Sequence, residues 1–468
     1  MIPFFPRQIT NRAIIVYFIA LMLVSVSFSR FAMRIGYFVL GIVFVSGFFL
    51  LTEVWSQNWR TKDDKWYVAT IFWVAVLLRL LWVVASYFYY IEVTGVPFEV
   101  DAADARGYHH EAEWLASEPW SRAWRYYFGP SATGISDVGY PLYLTVLYKV
   151  FGPLIIIPRV IKVFLSALTC VLIYRLASRT FGDAVGRMAG IMSVLMPNLI
   201  IYCGYHLKET EMLFLEVAFL ERADYLLRSH KINVWNILLP TLLAGSLFFF
   251  RTVLGAAAVF AFATGILFSS APAMRKKGRR FAMIGWGVLC LVVASGGTIM
   301  TEIEGYWEQK DTNVKNKRIE QTARGNQWAK YATGSVMAPM VVTLPFATMV
   351  DVDNQVAQQA KHGGNYIRNF MAFFAVLALY EAFRQKKWRN FALIGAFVFS
   401  YLGVVSLSGF SNSERFLFPG LPGLIMMWSW GVSQLRAESW RLMTPWCVIV
   451  VLMEFGWAFF KLGSRGLF

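Results

Sequence analysis

Residues 67–91 read YVATIFWVAVLLRLLWVVASYFYYI. A run of this length, apolar and aromatic almost throughout, meets the requirement of a membrane-crossing α-helix, which needs about 20 such residues for the hydrocarbon core of a bilayer. It has many companions. Comparable runs lie near 13–29, 32–52, 158–178, 186–204, 211–227, 234–250, 253–271, 281–300, 366–383, 390–408, 416–434 and 443–460. One further apolar piece, 140–152, is short, and reads as an additional span, a re-entrant piece or an interfacial helix. The expected fold is an all-α polytopic membrane protein, a bundle of about 11–14 transmembrane helices with two sizeable external loops.

Composition excludes the alternatives. Of 468 residues, 57% are hydrophobic, 17% aromatic and only 15% charged, and mean hydropathy is +0.51. A soluble protein carries about 25% charged residues, and a water-soluble chain of this size has nowhere to bury so much apolar surface. The net charge of +16 comes from 44 Lys and Arg against 28 Asp and Glu. In a soluble protein it would suggest nucleic acid. Here the basic residues sit in short clusters between apolar runs, where they set topology, so no nucleic-acid partner is expected. Cys170, Cys203, Cys290 and Cys447 lie in apolar stretches without CxxC or Cys/His spacing, which indicates neither a zinc site nor a disulfide framework. More spans follow the first apolar run, so a cleavable signal peptide is not expected.

Two basic clusters orient the chain: Arg275, Lys276, Lys277, Arg279 and Arg280, and Arg384, Lys386, Lys387 and Arg389. The positive-inside rule places both in the cytoplasm. Alternation then puts 55–66, 179–187 and 228–233 inside, and 92–139, 205–210, Arg251, 301–365 and 409–415 outside. Residues 140–178 must therefore cross an odd number of times. The chain divides into two N-terminal spans (1–66), a membrane module (67–300) with an external acidic loop (92–139), a second external loop (301–365) and C-terminal spans (366–468).

The acidic loop carries the sharpest pattern, Val100-Asp101-Ala102-Ala103-Asp104-Ala105-Arg106-Gly107-Tyr108-His109-His110-Glu111-Ala112-Glu113-Trp114-Leu115-Ala116. As a helix, Asp101, Asp104, Tyr108, Glu111 and Leu115 follow 3-4 spacing and share one face. Carboxylates on one face suit a general base, a divalent cation (Mg or Mn) held by Asp101 and Asp104, or a solvated acidic surface. His109 and His110 are adjacent and point to different faces, unlike an i, i+4 metal pair.

Further charges gather at span ends on the same side. Lys208, Glu209 and Glu211 enter an apolar run, which is costly unless they face a wet cavity. Arg251 stands alone between Phe248-Phe249-Phe250 and Thr252-Val253-Leu254; it caps a tight turn or reaches an anion. Ser411-Asn412-Ser413-Glu414-Arg415-Phe416-Leu417-Phe418-Pro419 places the pair Glu414 and Arg415 at another mouth. Acidic groups from one loop and basic groups from several span ends describe a site for an anionic, lipid-borne substrate.

In these stretches the sequence resembles the GT-C-fold glycosyltransferases that use polyprenyl-phosphate sugars, a group that includes protein O-mannosyltransferases, the lipid A aminoarabinose transferase and dolichol-dependent mannosyltransferases. Asp104 with Tyr108, His109 and Ala112 is similar to the family's acidic loop motif. Gly139-Tyr140-Pro141-Leu142-Tyr143 with Tyr148-Lys149-Val150-Phe151-Gly152 resembles the following segment. Arg175 to Gly182, Pro197 and Lys208-Glu209-Thr210-Glu211 look like the next helices, and Glu414-Arg415-Phe416-Leu417-Phe418-Pro419 resembles a late Glu-Arg-Phe-Leu-x-Pro turn. The likeness covers roughly 67–430. Two spans precede the acidic loop's helix where many members have one, Gly139-Tyr140-Pro141 replaces a frequent Lys-Pro, and no large soluble C-terminal domain follows.

The resemblance implies transfer of a sugar from a polyprenyl-phosphate donor to a hydroxyl of a glycan, lipid or protein acceptor, with inversion. The compact form without glycosylation-dense loops points to a bacterial inner membrane, and the charge alternation to an outward-facing site, with membrane lipid as surroundings. Asp104 or Asp101 would take the acceptor proton. Tyr108, His109, His110, Glu111, Lys208, Glu209, Glu211, Arg251, Glu414 and Arg415 would bind substrate. En bloc transfer of an oligosaccharide from a diphosphate lipid is the variant within the same fold. A transporter or flippase, which needs mid-span charges and paired broken helices, and an assembly subunit are the competing classes.

Overall fold

The computed structural model describes residues 4–100, 102–129, 135–229, 233–268, 338–352, 355–407 and 413–467. Asp101, the basic cluster at 275–280, the span expected at 281–300 with Cys290, loop residues 301–337 and Ser411-Asn412 lie outside the described residues. The helices are α1 (Arg7–Ser27), α2 (Ile35–Asn58), α3 (Asp64–Thr94), α4 (Ala103–Ser117), α5 (Trp120–Phe128), α6 (Gly139–Phe151), α7 (Ile156–Phe181), α8 (Asp183–Leu195), α9 (Pro197–Ile201), α10 (Glu209–Arg228), α11 (Val234–Phe250), α12 (Thr252–Phe268), α13 (Val356–Gln359), α14 (His362–Arg384), α15 (Trp388–Leu407), α16 (Glu414–Leu417), α17 (Leu421–Ser433) and α18 (Ala437–Gly463). Among the described residues there is no β-strand, only an isolated bridge between Ala32 and Val350. The chain is an all-α polytopic membrane protein.

Among the described residues, 8 helices are long and apolar enough to cross a membrane, or 9 if the pair α8–α9, bent by 52°, is one span. The span expected at 281–300 lies outside the described residues, and other expected runs form shorter or more polar helices. α11 is 17 residues long and ends at Arg251, the single non-helical residue before α12, whose last described residue is Phe268. α10 spends much of its length on buried Glu209, Glu211, Glu216, Glu221 and Asp224.

α6 resolves the parity of 140–178. It has 13 residues, ends at Gly152 with φ 78°, and packs against α4 and α11. It is too short to cross, so α7 alone does. Lys149 caps this layer from below, donating to the carbonyls of Ala116 (3.1 Å) and Glu118 at the end of α4, with Nζ 4.9 Å from the Trp120 ring. Helices α4, α5 and α6 therefore form a cap over one end of the bundle. Its rim exposes Trp114, Trp120, Trp124 and Tyr126, the residue types that settle at headgroup level.

α3 leads into this cap. Asp63 starts it by accepting from the Lys65 N–H at 3.0 Å, and Gly95 ends it with φ 74°. At 31 residues it is about 46 Å long, long enough to cross and still project. Its middle holds Arg79, fully buried, and the chemistry explains why. Pro197 has no N–H, so the Ser193 carbonyl loses its helical partner, and the bend strands Val194 as well. The Arg79 guanidinium takes both carbonyls (3.1 and 3.2 Å) and also donates to Ser166 Oγ at 2.7 Å.

The C-terminal helices interleave with the N-terminal ones: α14 packs on α2 and α17, α17 on α8, and α18 on α1. The approach of α14 depends on a missing side chain, because a Cβ on Gly364 would lie 1.6 Å from Asn198 Oδ1. The end opposite the cap is bound by ion pairs. Arg187 bridges Asp183 (2.6 Å) and Asp64, and Arg179 bridges Glu221 (2.7 Å) and Asp224 (3.1 Å).

Candidate functional site at the capped end

The capped end gathers the start of α4, the start of α10, the α11–α12 junction and the turn α16. Arg415 is the centre. Its guanidinium pairs with Glu209 and with Asp104, and an Nη lies 3.4 Å from the Tyr108 hydroxyl. Glu209 is fully buried, whereas the Asp104 side chain is 61% exposed. Arg415 thus joins an interior carboxylate to one at the open surface. Arg251 stands 3.9 Å from Glu209, donates to Tyr401 Oη at 2.9 Å, and lies 4.6 Å over the Phe416 ring. Lys208 donates to the Phe250 carbonyl at 2.7 Å and pairs with Asp137. Asp137 reaches it from a left-handed backbone conformation, φ 68°, which aspartate tolerates better than most residues.

Glu414 turns away from its neighbour. It pairs with Lys361 at 2.9 Å and accepts from Asn198, which also donates to Asn365 at 3.1 Å. Glu211 also points elsewhere, to Lys162 at 3.7 Å. Lys162 donates to the carbonyls of Tyr205 (2.9 Å) and Leu207, and Arg159 donates to Pro97. Arg159 and Lys162 of α7 thus belong to its capped end. There they tie the 95–100 and 205–208 segments down.

The single face expected of α4 is real but long. Asp104 and Glu111 are seven residues apart, about 10 Å along a helix, so they meet different neighbours. The Asp104 and Tyr108 end faces Arg415 and Tyr140. The Leu115 end packs against Ala123 and Tyr127 of α5, with Glu111 beside Tyr127. Asp104 and Glu111 therefore have separate surroundings, and Asp101, the third carboxylate expected on this face, lies outside the described residues. Burial raises the Glu111 carboxyl above its ordinary range.

The histidines also differ from expectation. His109 Nε2 and His110 Nδ1 lie 3.8 and 3.7 Å from Glu113, so adjacent residues reach one carboxylate through i+4 and i+3 spacing. The three ligand atoms fall within 4.8 Å of one another. His110 is exposed, while His109 is buried and its Nδ1 is 2.8 Å from Tyr148 Oη, which lies 3.2 Å from His206. Burial lowers the His109 pKa, outweighing Glu113, which raises it.

An aromatic cleft of about 390 Å³ opens beside this site between α2 and α3, lined by Tyr37, Trp82, Tyr89 and Tyr90, with Glu99 and Tyr205 among its walls. Burial raises the Glu99 carboxyl above the usual range, with Arg159 opposing. Tyr205 connects cleft and charge cluster, for its ring is 5.9 Å from Lys361, the partner of Glu414.

Sequence reasoning missed Asp137, Asn198, Lys361, Tyr401 and Glu99. Only Asn198, next to Pro197 at an evident helix break, carried a local signal. No protein-family model matches the chain, and no curated protein matches it.

Proposed function

We propose that the protein is an integral-membrane glycosyltransferase that moves a sugar from a polyprenyl-phosphate carrier to an acceptor hydroxyl at the capped face. The observation that carries this reading is Arg415, which joins exposed Asp104 to buried Glu209 within reach of Arg251. Cations held at fixed positions suit a leaving group that becomes a phosphate anion. Arginine's planar fork matches phosphate as well as carboxylate.

In this mechanism the donor phosphate competes with Asp104 for Arg415. Once displaced, Asp104 is free to accept the proton of the acceptor hydroxyl as that oxygen bonds to the anomeric carbon. The bond from that carbon to the phosphate oxygen breaks on the opposite face, which inverts the centre. Arg415 and Arg251, with Lys208 beside them, take up the charge left on the phosphate. The aromatic cleft between α2 and α3 offers apolar walls to the prenyl chain. Asp104 is paired with Arg415 and Asp101, the other carboxylate considered for a divalent cation, lies outside the described residues, so no step is assigned to a metal. The basic residues at the opposite end favour an orientation with the capped face outward.

The test compares polyprenyl-linked glycans by mass spectrometry in cells holding the wild type or Asp104→Asn. A lipid-linked sugar that accumulates only with the variant supports transfer. Its head group tells a single sugar from a whole oligosaccharide. An unchanged lipid-linked pool, with the variant folded in the membrane, rejects the reading in favour of a transporter or an assembly subunit.

A further inference from the structure

A second and larger cleft lies at the other end of the bundle. It encloses about 840 Å³ between α3, α7, α10 and α11, with Phe72, Leu172, Phe214 and Leu243 each contributed by a different helix. Lys65, Arg175 and Arg222 line the same cleft. The acidic residue among them, Asp64, is already paired with Arg187. Arg222 pairs with Glu221 at 2.7 Å. Arg175 is exposed, and no partner is found for it among the described residues.

Arg175 is six residues short of the end of α7, about 9 Å inward along the helix axis. A cation at that depth on a lipid-facing wall is costly unless it reaches the headgroups or meets an anion. The walls beside it are apolar, so a hydrated free ion would leave most of the cleft unmatched. An amphipathic anion satisfies both parts.

We propose that this cleft is a binding site for an anionic phospholipid of the leaflet at the uncapped end. One acyl chain lies along Phe72, Leu172, Phe214 and Leu243, and the phosphate meets Arg175 with Lys65. Arg222 and its Glu221 partner border the headgroup. The site is separate from the capped end and does not depend on the reaction proposed there.

The test is native mass spectrometry of the detergent-purified full chain, incubated with dioleoylphosphatidylglycerol or with dioleoylglycerol, which lacks the phosphate. The wild type retains the phospholipid about tenfold better than the neutral lipid, as expected when one charge-assisted contact is at stake. Arg175→Gln reduces phospholipid retention by about the same factor, and Leu172→Trp, which fills the cleft, reduces retention of both lipids. Arg389→Gln, basic and outside the cleft lining, leaves retention unchanged. Wild-type retention by both Arg175→Gln and Leu172→Trp overturns the proposal. Displacement of the lipid by excess inorganic phosphate also overturns it, because the occupant would then be a free anion.

Discussion

Arg79 and Arg415 are both held by the fold, and the contrast between their surroundings separates architecture from chemistry. Arg79 is fully buried, and its donors end on neutral groups: two carbonyls stranded by the Pro197 bend, Ser166 and Cys170. Nothing there can exchange without opening the bundle. Arg415 ends on two carboxylates from separate helices, one enclosed and one at the open surface. A competing anion can replace the second without disturbing the first. A buried cation matched to dipoles holds helices together, whereas one shared between carboxylates at a surface is available to a ligand.

The strongest way to break this contrast is Arg79→Met. It leaves two buried carbonyls unsatisfied at about 1–3 kcal/mol each, so stability falls by roughly 3 kcal/mol or more. Denaturation in detergent reads that loss, and wild-type stability would mean Arg79 is no structural tie. Arg415→Lys keeps the charge but loses the fork. Under the proposed function, sugar transfer assayed on a lipid-linked donor falls by about 10- to 100-fold with the unfolding midpoint nearly unchanged. Equal damage to stability would move Arg415 into the same class as Arg79. A double-mutant cycle of Arg415→Gln with Glu209→Gln sharpens the point, with a coupling of about 1–3 kcal/mol expected. Additive effects would detach Glu209 from the cluster.

The smallest effect is on pH. Burial depresses the His109 pKa below its ordinary value near 6.5. Its contribution to stability is therefore intact above that value and is lost as pH falls through it toward the folded pKa. Relative to the intrinsic exchange rate at each pH, the protection of α4 amides should fall on mild acidification in the wild type and less so in His109→Gln. An identical acid response would assign the change to another group.

Much of the fold was legible in the sequence because hydropathy is written locally: the runs near 67–91, 158–178 and 443–460 became α3, α7 and α18. The place of 140–152 was not, since its length admitted several readings and only packing against α4 chose one. Of the candidate site, Asp104, Glu209, Arg251 and Arg415 were visible as charges beside apolar runs. Glu414 and Glu211 looked equivalent to them, yet their helical directions send them to Lys361 and Lys162. Tyr401 and Asp137 join through tertiary approach alone, which leaves no local mark.

The cap has one more consequence. Its outer rim exposes Trp114, Trp120, Trp124 and Tyr126, residue types that settle at headgroup level, while Arg415 sits at the start of a helical segment long and apolar enough to cross a membrane. Asp104 rides on the first of these bodies and meets the second. Anchoring of that rim at the interface would couple the Asp104–Arg415 contact to bilayer thickness, and reconstitution into membranes of graded acyl length is expected to reveal an optimum.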